Sequence, residues 1–301
     1  MKPRGLFLNT ARARCSIFES GQMVHDCLIG SDRYDLEYQE VDYQHRSVPL
    51  GFDFYVMNYH DSTSMAWLDT TCVRNLPGIK IAIVLEVAPN NPFVRVSGED
   101  FDAYIVLDPT VARVTSKVYP FPRPLESTPP TEPMIDGEVP SVGTFGLPTR
   151  GKGFDKLVRA VNLEFDRATV RMNIPAADYI PQADRDAVEK AIADLRRMTN
   201  PGVELVVSRD YMSKPDLIRW CSRNTLNAFL YDRAMPGLAA TPDQAIASGR
   251  PLAVSANETF RHVHTYLTPY PFRSLKESIA RSQSEVERMR QDWSAGSESC
   301  S

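Results

Sequence analysis

The sequence has no surplus of basic charge. Its 34 lysines and arginines stand against 38 acidic residues, a net charge of −4 over 301 residues. That argues against a nucleic-acid partner, because a binding domain of that kind carries a basic excess on one face. Cysteine is sparse, with Cys15, Cys27, Cys72, Cys221 and Cys300 odd in number, scattered, and never in a CxxC pair. Neither a disulfide framework nor a zinc ribbon is expected. The most apolar stretch, IAIVLEVA at 81–88, falls far short of the ~20 residues of a membrane helix. The opening segment MKPRGLFLNTARARC is basic but lacks the apolar core of a signal peptide. These absences point to a cytoplasmic protein with at most peripheral membrane contact. There is also no Gly-x-Ser-x-Gly elbow and no HExxH zinc motif.

What is present is an ordinary globular composition, 43% hydrophobic and 24% charged, on a chain long enough for about two domains. The first half reads as short apolar runs: Gly5–Leu8, Tyr34–Glu40, Phe52–Asn58, Ile79–Val87 and Asp102–Leu107, with a helical segment at Ser16–Leu28. The run at 79–87 is continuous, as in strands buried on both faces of a parallel sheet. Residues 119–140 then hold seven prolines and read as an extended linker or a long surface loop.

The second half alternates more regularly. Strands are expected at Val142–Phe145, Ala168–Ile174, Val203–Val207, Ala228–Tyr231 and Pro251–Ser255. Between them, Phe154, Leu157, Val158, Val161 and Phe165 share one helical face, and Val188, Ile192, Leu195 and Met198 share another. Ser213 is placed to cap a short helix, and Thr241-Pro242-Asp243-Gln244 reads as a Thr N-cap with proline at the first helical position. Gly249 would close that helix. Ser274 and Glu277 form a capping box ahead of a stripe of Leu275, Ile279, Val286, Met289 and Trp293. The expected fold class is therefore α/β, with two doubly wound parallel sheets.

The segment with the most chemistry is Gly143-Thr-Phe-Gly-Leu-Pro-Thr-Arg-Gly-Lys-Gly-Phe154. A strand enters it and a helix leaves it. Glycines such as Gly146 let a backbone approach an anion closely, and a helix N-terminus adds partial positive charge. Arg150 and Lys152 add full charges suited to phosphate oxygens. The bland reading is a flexible turn with solvated basic residues. Gly146-x4-Gly151-Lys152 approaches a P-loop, but Gly153 stands where a magnesium-binding Ser or Thr belongs. A second anion-friendly segment is Pro236-Gly-Leu-Ala-Ala-Thr241, whose small residues Gly237, Leu238, Ala239 and Ala240 leave N–H groups open at a helix start. Asp243 on the following turn is a candidate for ribose hydroxyls, or for complementing the helix dipole.

The segments SVGTFGLPTRGKGF, LNAFLYDRAMPGLAATPDQAIASGRPLAVS and FRHV resemble the nucleotide-binding half of two-Rossmann (GT-B) glycosyltransferases. They are most similar to the retaining group 1 type of bacterial surface-polysaccharide assembly, over roughly residues 140–263. The resemblance implies two Rossmann-like domains facing a cleft and a C-terminal helix crossing back. It implies an acceptor domain over 1–123, a proline-rich linker over 124–139, a nucleotide-sugar domain over 140–270, and a helix over 271–301 docking on the first domain. A nucleotide-diphosphate sugar would be the donor, with no separate cofactor, and a glycan or lipid-linked hydroxyl the acceptor. Arg150 and Lys152 would hold the diphosphate, Gly237 and Leu238 would turn on the phosphates, and Asp243 would meet the ribose; Tyr211 completes the nucleotide-side candidates. The family often has two glutamates eight residues apart around the Gly-Leu turn. Here the first would fall at Met235, and the second is Asp243 or Gln244, with Asp232 a nearby substitute.

Acceptor-side candidates come from strand ends of the first half: Asn9 and Arg14, Asn58 and His60, Glu86, and Asp108. His60 and Glu86 are the two given catalytic weight, Glu86 because it interrupts an apolar run. Asp100 and Asp102 spell a DxD that precedes a strand and reads as a loop cap. His262 and His264 lack a third ligand and read as a surface pair, so no metal is expected. An epimerase of the same fold and a non-catalytic sugar-nucleotide binder remain open as alternatives.

Overall fold

The computed structural model describes residues 1–11, 15–42, 47–60, 70–85, 101–113, 115–125, 139–175, 182–234 and 237–298. Arg14, Glu86, Asp100, Met235 and most of the proline-rich segment lie outside the described residues. The chain divides into two compact units. One comprises residues 1–124 with 236–238 and 295–301, the other 125–235 with 239–294.

The first unit runs β1 (Arg4–Thr10), α1 (Ser16–Leu28), β2 (Asp35–Val41), β3 (Phe54–Tyr59), α2 (Thr70–Asn75), β4 (Ile79–Val84), β5 (Ala103–Val106) and β6 (Val118–Pro120). All six strands are parallel, in the order β2-β1-β3-β4-β5-β6. Alternate residues serve opposite faces, as strand geometry requires. Leu6, Leu8, Tyr55, Met57, Ala82 and Tyr104 fill one core with Val73 of α2. Phe7, Val56 and Ile83 fill the other with Val24 of α1. Burial on both faces explains why Ile79–Val84 shows no polar alternation in its apolar half.

The second unit runs β7 (Ser141–Phe145), α3 (Phe154–Glu164), β8 (Ala168–Asn173), α4 (Gln182–Met198), β9 (Val203–Ser208), α5 (Lys214–Ser222), β10 (Leu226–Phe229), α6 (Thr241–Ala247), β11 (Leu252–Val254), a 3-10 turn (Glu258–Phe260), α7 (Arg261–His264) and α8 (Leu275–Glu298). Its five strands are parallel in the order β11-β10-β7-β8-β9. Val142, Val170, Met172 and Ala228 meet Leu157, Val158 and Val161 of α3 on one face, together with Ile192 and Leu195 of α4. Phe145, Phe229 and Val254 meet Ile246 of α6 and Val286, Met289 and Trp293 of α8 on the other. The two-sheet α/β class is thus as expected.

Helix ends follow the residues that cap them. Ser213 Oγ accepts from the Asp216 N–H at 3.3 Å. Ser274 and Glu277 bond reciprocally at 3.0 and 3.1 Å, a complete capping box. Gly249 follows α6 with φ +68. One expectation changes. Thr241 is the first helical residue of α6 rather than its N-cap, which is Ala240. The α8 stripe packs on the cores of the second unit, through Leu275 and Ile279 on one side and Val286, Met289 and Trp293 on the other. Ser282 of α8 also accepts the Leu252 N–H of edge strand β11, at 2.9 Å. Among the described residues no helix is long and apolar enough to cross a membrane.

Candidate functional site

In an open parallel sheet, ligands gather beyond the carboxyl ends of the strands, where the strand order switches direction. In the second sheet the chain steps from β7 outward to β8 and β9, then returns to β10 on the other side of β7. The switch point is the β7–β10 pair. The glycine-rich loop 146–153 leaves β7 there, and Leu230–Tyr231 leaves β10 there.

The loop is fastened to its surroundings through its backbone. Gly146 N–H donates to Asn173 O at 3.0 Å, and Asp232 N–H donates to Gly151 O at 2.8 Å. Gly153 has φ +66, and a Cβ there would collide with the Leu230 carbonyl, so only glycine allows α3 to begin so close to β10. Gly151 and Gly153 are therefore points of close backbone contact rather than of a flexible turn.

Lys152 is half-buried and donates to Tyr231 Oη at 2.9 Å, with its Nζ 4.4 Å from the centre of the Tyr231 ring. Tyr231 Oη also lies 3.0 Å from Thr241 Oγ1, at the start of α6. The Tyr231 ring is 2% exposed and packs against Phe260 and Phe229, with centroids 4.9 and 6.3 Å away. Arg150, three residues before Gly153, is exposed and forms no ion pair among the described residues. An ammonium has three donors, so Lys152 keeps two beyond its bond to Tyr231. Two cations thus stand on a backbone-fastened loop at a helix start, an arrangement whose charge complements a polyanion.

The other nucleotide-side candidates are placed as follows. Tyr211 is half-buried in the loop between β9 and α5. That loop is pinned by Asn173, whose Nδ2 donates to Ser208 Oγ at 3.2 Å and Asp210 O at 3.0 Å. Gly237 and Leu238 are buried and group with the first unit, whereas Ala239 and Ala240 group with the second. The Ala239 N–H is already given to Thr259 O at 3.0 Å, which removes it from the expected set of open donors. Asp243 is 5% exposed, and its Oδ1 faces His262 Nε2 at 3.9 Å. It sits in the first turn of α6, as the helix-dipole reading requires. Asp232 is exposed and bonded to Lys156 at 2.8 Å, and that contact holds its carboxyl below the usual range.

The histidines correct the surface-pair expectation. His262 is 3% exposed and stacks on Trp293 with centroids 5.7 Å apart. His264 Nε2 lies 3.0 Å from Ser255 O. Asp102 behaves as the expected loop cap, its Oδ2 accepting the Lys80 N–H at 2.8 Å. Among the described residues no group of three or more metal-ligating side chains occurs.

In the first sheet the switch point is the β1–β3 pair. Asn9 and Asn58 lie there as expected, but both are fully buried and bonded to each other and to α1. Asn58 Nδ2 donates to Asn9 Oδ1 at 2.7 Å and Ile17 O at 2.9 Å. Asn9 Nδ2 donates to Phe18 O and Tyr38 Oη at 3.0 and 3.1 Å. Asp108 Oδ1 accepts from Thr110 N–H at 2.9 Å and Thr110 Oγ1 at 2.6 Å, within its own turn. His60 follows β3 and is 9% exposed. A groove of about 860 Å³ in this unit is lined in part by Phe54, Val56, Ile81 and Ile105, and also by Pro3 and Asp53 at the amino ends of the strands. That is the opposite end from the one parallel sheets use for ligands.

Tyr231 is the residue that sequence reasoning missed as part of the site. The available signal was its position immediately past a buried strand at the switch point.

No protein-family model and no curated protein matches the sequence at a significant level. Solved structures do match. The chain is similar to trehalose-6-phosphate from E. coli bound with UDP-2-fluoro glucose, with TM-score 0.63, 10% identity, and 97% and 96% of the two chains covered. It is similar to sucrose-phosphate synthase from Thermosynechococcus elongatus, with TM-score 0.62, 11% identity, and coverage of 99% and 94%. An alpha-glucosyltransferase in complex with UDP and a 13-mer DNA containing an HMU base matches at TM-score 0.58, 10% identity, and coverage of 99% and 95%. At this identity the likeness is one of fold: two Rossmann-like units, the GT-B architecture of these glycosyltransferases.

Proposed function

We propose that the protein is a glycosyltransferase that moves a sugar from a nucleotide-diphosphate sugar to a hydroxyl acceptor, in glycan or polysaccharide synthesis. The observation that carries this reading is the loop 146–153 at the β7–β10 switch point. It holds Lys152 against Tyr231 and presents Arg150 to solvent, on a fold whose solved neighbours include proteins bound to UDP and to UDP-2-fluoro glucose. Arg150 and Lys152 are assigned to the donor diphosphate, where they stabilise the charge that grows as the glycosidic bond breaks. Gly146, Gly237, Leu238 and Ala240 are assigned to close backbone approach to the phosphates, and Tyr211 to the nucleoside. Asp243, in the first turn of α6, is assigned to the ribose hydroxyls. His60 is the acceptor-side candidate that the described residues supply.

The reaction is read as retaining, with the donor phosphate taking the acceptor's proton. It is assigned to the cytoplasm, with a glycan or a lipid-linked hydroxyl as acceptor. Because positive side chains match the diphosphate charge, we read it as metal-independent.

The test is product analysis with radiolabelled UDP-, ADP- and GDP-sugars, with and without glycan and hydroxymethylated-DNA acceptors, in buffer with and without EDTA. Acceptor-dependent transfer of label that survives EDTA is expected. Donor conversion that ignores every acceptor would overturn transfer. Activity lost to EDTA and restored by manganese would overturn metal independence. Label appearing in the DNA would replace the glycan acceptor.

A further inference from the structure

We infer that Tyr231 is a positioning residue that sets Lys152 for the donor diphosphate and ties the lysine loop to the start of α6; this rests on the glycosyltransferase reading above. Three contacts carry it. The Lys152 ammonium donates to Tyr231 Oη at 2.9 Å. It also lies 4.4 Å from the ring centre, within the range of a cation–π contact. Tyr231 Oη and Thr241 Oγ1 are 3.0 Å apart.

An ammonium only donates, so the phenol oxygen accepts from Lys152, and between the phenol and Thr241 Oγ1 either hydroxyl supplies the hydrogen. The result is a continuous link from the loop between β7 and α3 to the first residue of α6, two segments 89 residues apart in the chain (241 minus 152). The phenol cannot swing away, because its ring is 2% exposed and packed against Phe229 and Phe260. Gly146 lies beside the pair, where a Cβ would sit at ordinary contact distance, 3.4 Å from Tyr231 Oη and 3.5 Å from Lys152 Nζ.

A flexible lysine loses side-chain entropy when it is fixed on a ligand. A phenol that holds the ammonium by one of its three donors removes part of that cost and leaves the other two for phosphate oxygens. The two residues would then act as one unit. Neither the aromatic type nor the distance in sequence marks Tyr231 as such; the geometry alone assigns it.

The experiment is a double-mutant cycle on nucleoside-diphosphate binding, measured by calorimetry with UDP, ADP and GDP on the full chain. Lys152→Ala should weaken the best binder about 30-fold. Tyr231→Phe keeps the ring and should weaken it about fivefold. The double variant should bind like Lys152→Ala alone, within about twofold, since the phenol acts only through the lysine. Thr241→Val, which removes the far end of the link, should weaken binding about twofold and leave folding intact. Multiplicative losses in the cycle, or unchanged binding in Tyr231→Phe, would overturn the inference and leave the donor site standing. If Tyr231→Phe does not fold, Thr241→Val decides, and unchanged binding there overturns the link. Failure of all three diphosphates to bind the wild-type chain would overturn the donor reading and this inference together.

Discussion

The two sheets each have one switch point, and the two are chemically unlike. At the β1–β3 pair, Asn9 and Asn58 face each other across 2.7 Å, and their amide hydrogens go to Ile17, Phe18 and Tyr38. The polar groups there hold α1 onto the sheet. At the β7–β10 pair, Lys152 spends one donor on Tyr231 and keeps two, and Arg150 reaches solvent. Topology supplies the same opportunity twice. The difference is that cationic donors remain unengaged after folding at the second location, where they suit an anion.

The sharpest way to break this comparison is Asn9→Ala. It strips the acceptor from Asn58 Nδ2 and Thr10 N–H and vacates two further contacts, all in a buried setting. The expected cost is about 3–4 kcal/mol of stability by denaturant titration. Nucleoside-diphosphate affinity of the folded fraction should be unchanged. A loss of affinity without loss of stability would move the ligand to the first switch point.

Lys152→Ala should show the mirror image. About 2–3 kcal/mol of diphosphate binding is expected to go, while the melting temperature stays within a degree or two of wild type, about the scatter for a loop side chain. A folded variant with full affinity would remove the loop from the site.

Gly146→Ala tests whether the second location depends on backbone form. Its φ of +150 disfavours a side chain, whereas the new methyl would make only ordinary contact with Tyr231 Oη and Lys152 Nζ. A stability loss of about 1–2 kcal/mol and, as the loop backbone shifts to relieve the strain, a measurable drop in affinity are expected. Equal affinity would mean that the loop takes up the strain without moving its lysine.

The smallest effect should come from Asp232→Asn. The Asp232 carboxyl is held below its usual range by the hydrogen bond from Lys156. A depressed folded value means the contribution is present above the unfolded pKa and is lost as pH falls through the folded one. The pair is exposed, so salt screens it. Wild type and variant should therefore differ slightly at neutral pH and low salt and converge on acidification. A difference that grows in acid would reverse the assigned sign.

Most of the architecture was legible because it rests on local signals. Buried strands such as Ile79–Val84 carry continuous apolar runs, and Ser213, Ser274 with Glu277, and Gly249 mark helix ends chemically. What escaped rests on contacts distant in sequence. Strand β10 was expected at 228–231 but begins at Leu226, because Asn227, a turn residue by composition, is buried where its Nδ2 donates to Cys221 O and its Oδ1 accepts from Asn224. Strand β6 hides in proline-rich sequence and pairs at the sheet edge, where proline is tolerated. At the site, Arg150 and Lys152 are visible as charges beside glycines. Tyr231 and Thr241 read as a strand residue and a cap, since nothing in their spacing reveals that the Tyr231 hydroxyl joins Lys152 to Thr241.

The bond from Leu252 to Ser282 has a consequence for biosynthesis. β11 is the outermost strand of its sheet, and its outer rim is taken by Tyr270, whose N–H goes to Val254 O at 2.8 Å, and by Ser282 of α8 at Leu252. During translation the strand emerges some thirty residues before that serine (282 minus 252). Until it arrives the rim stays open at Leu252, and a chain cut short there would be prone to pair with its neighbours rather than with its own last helix.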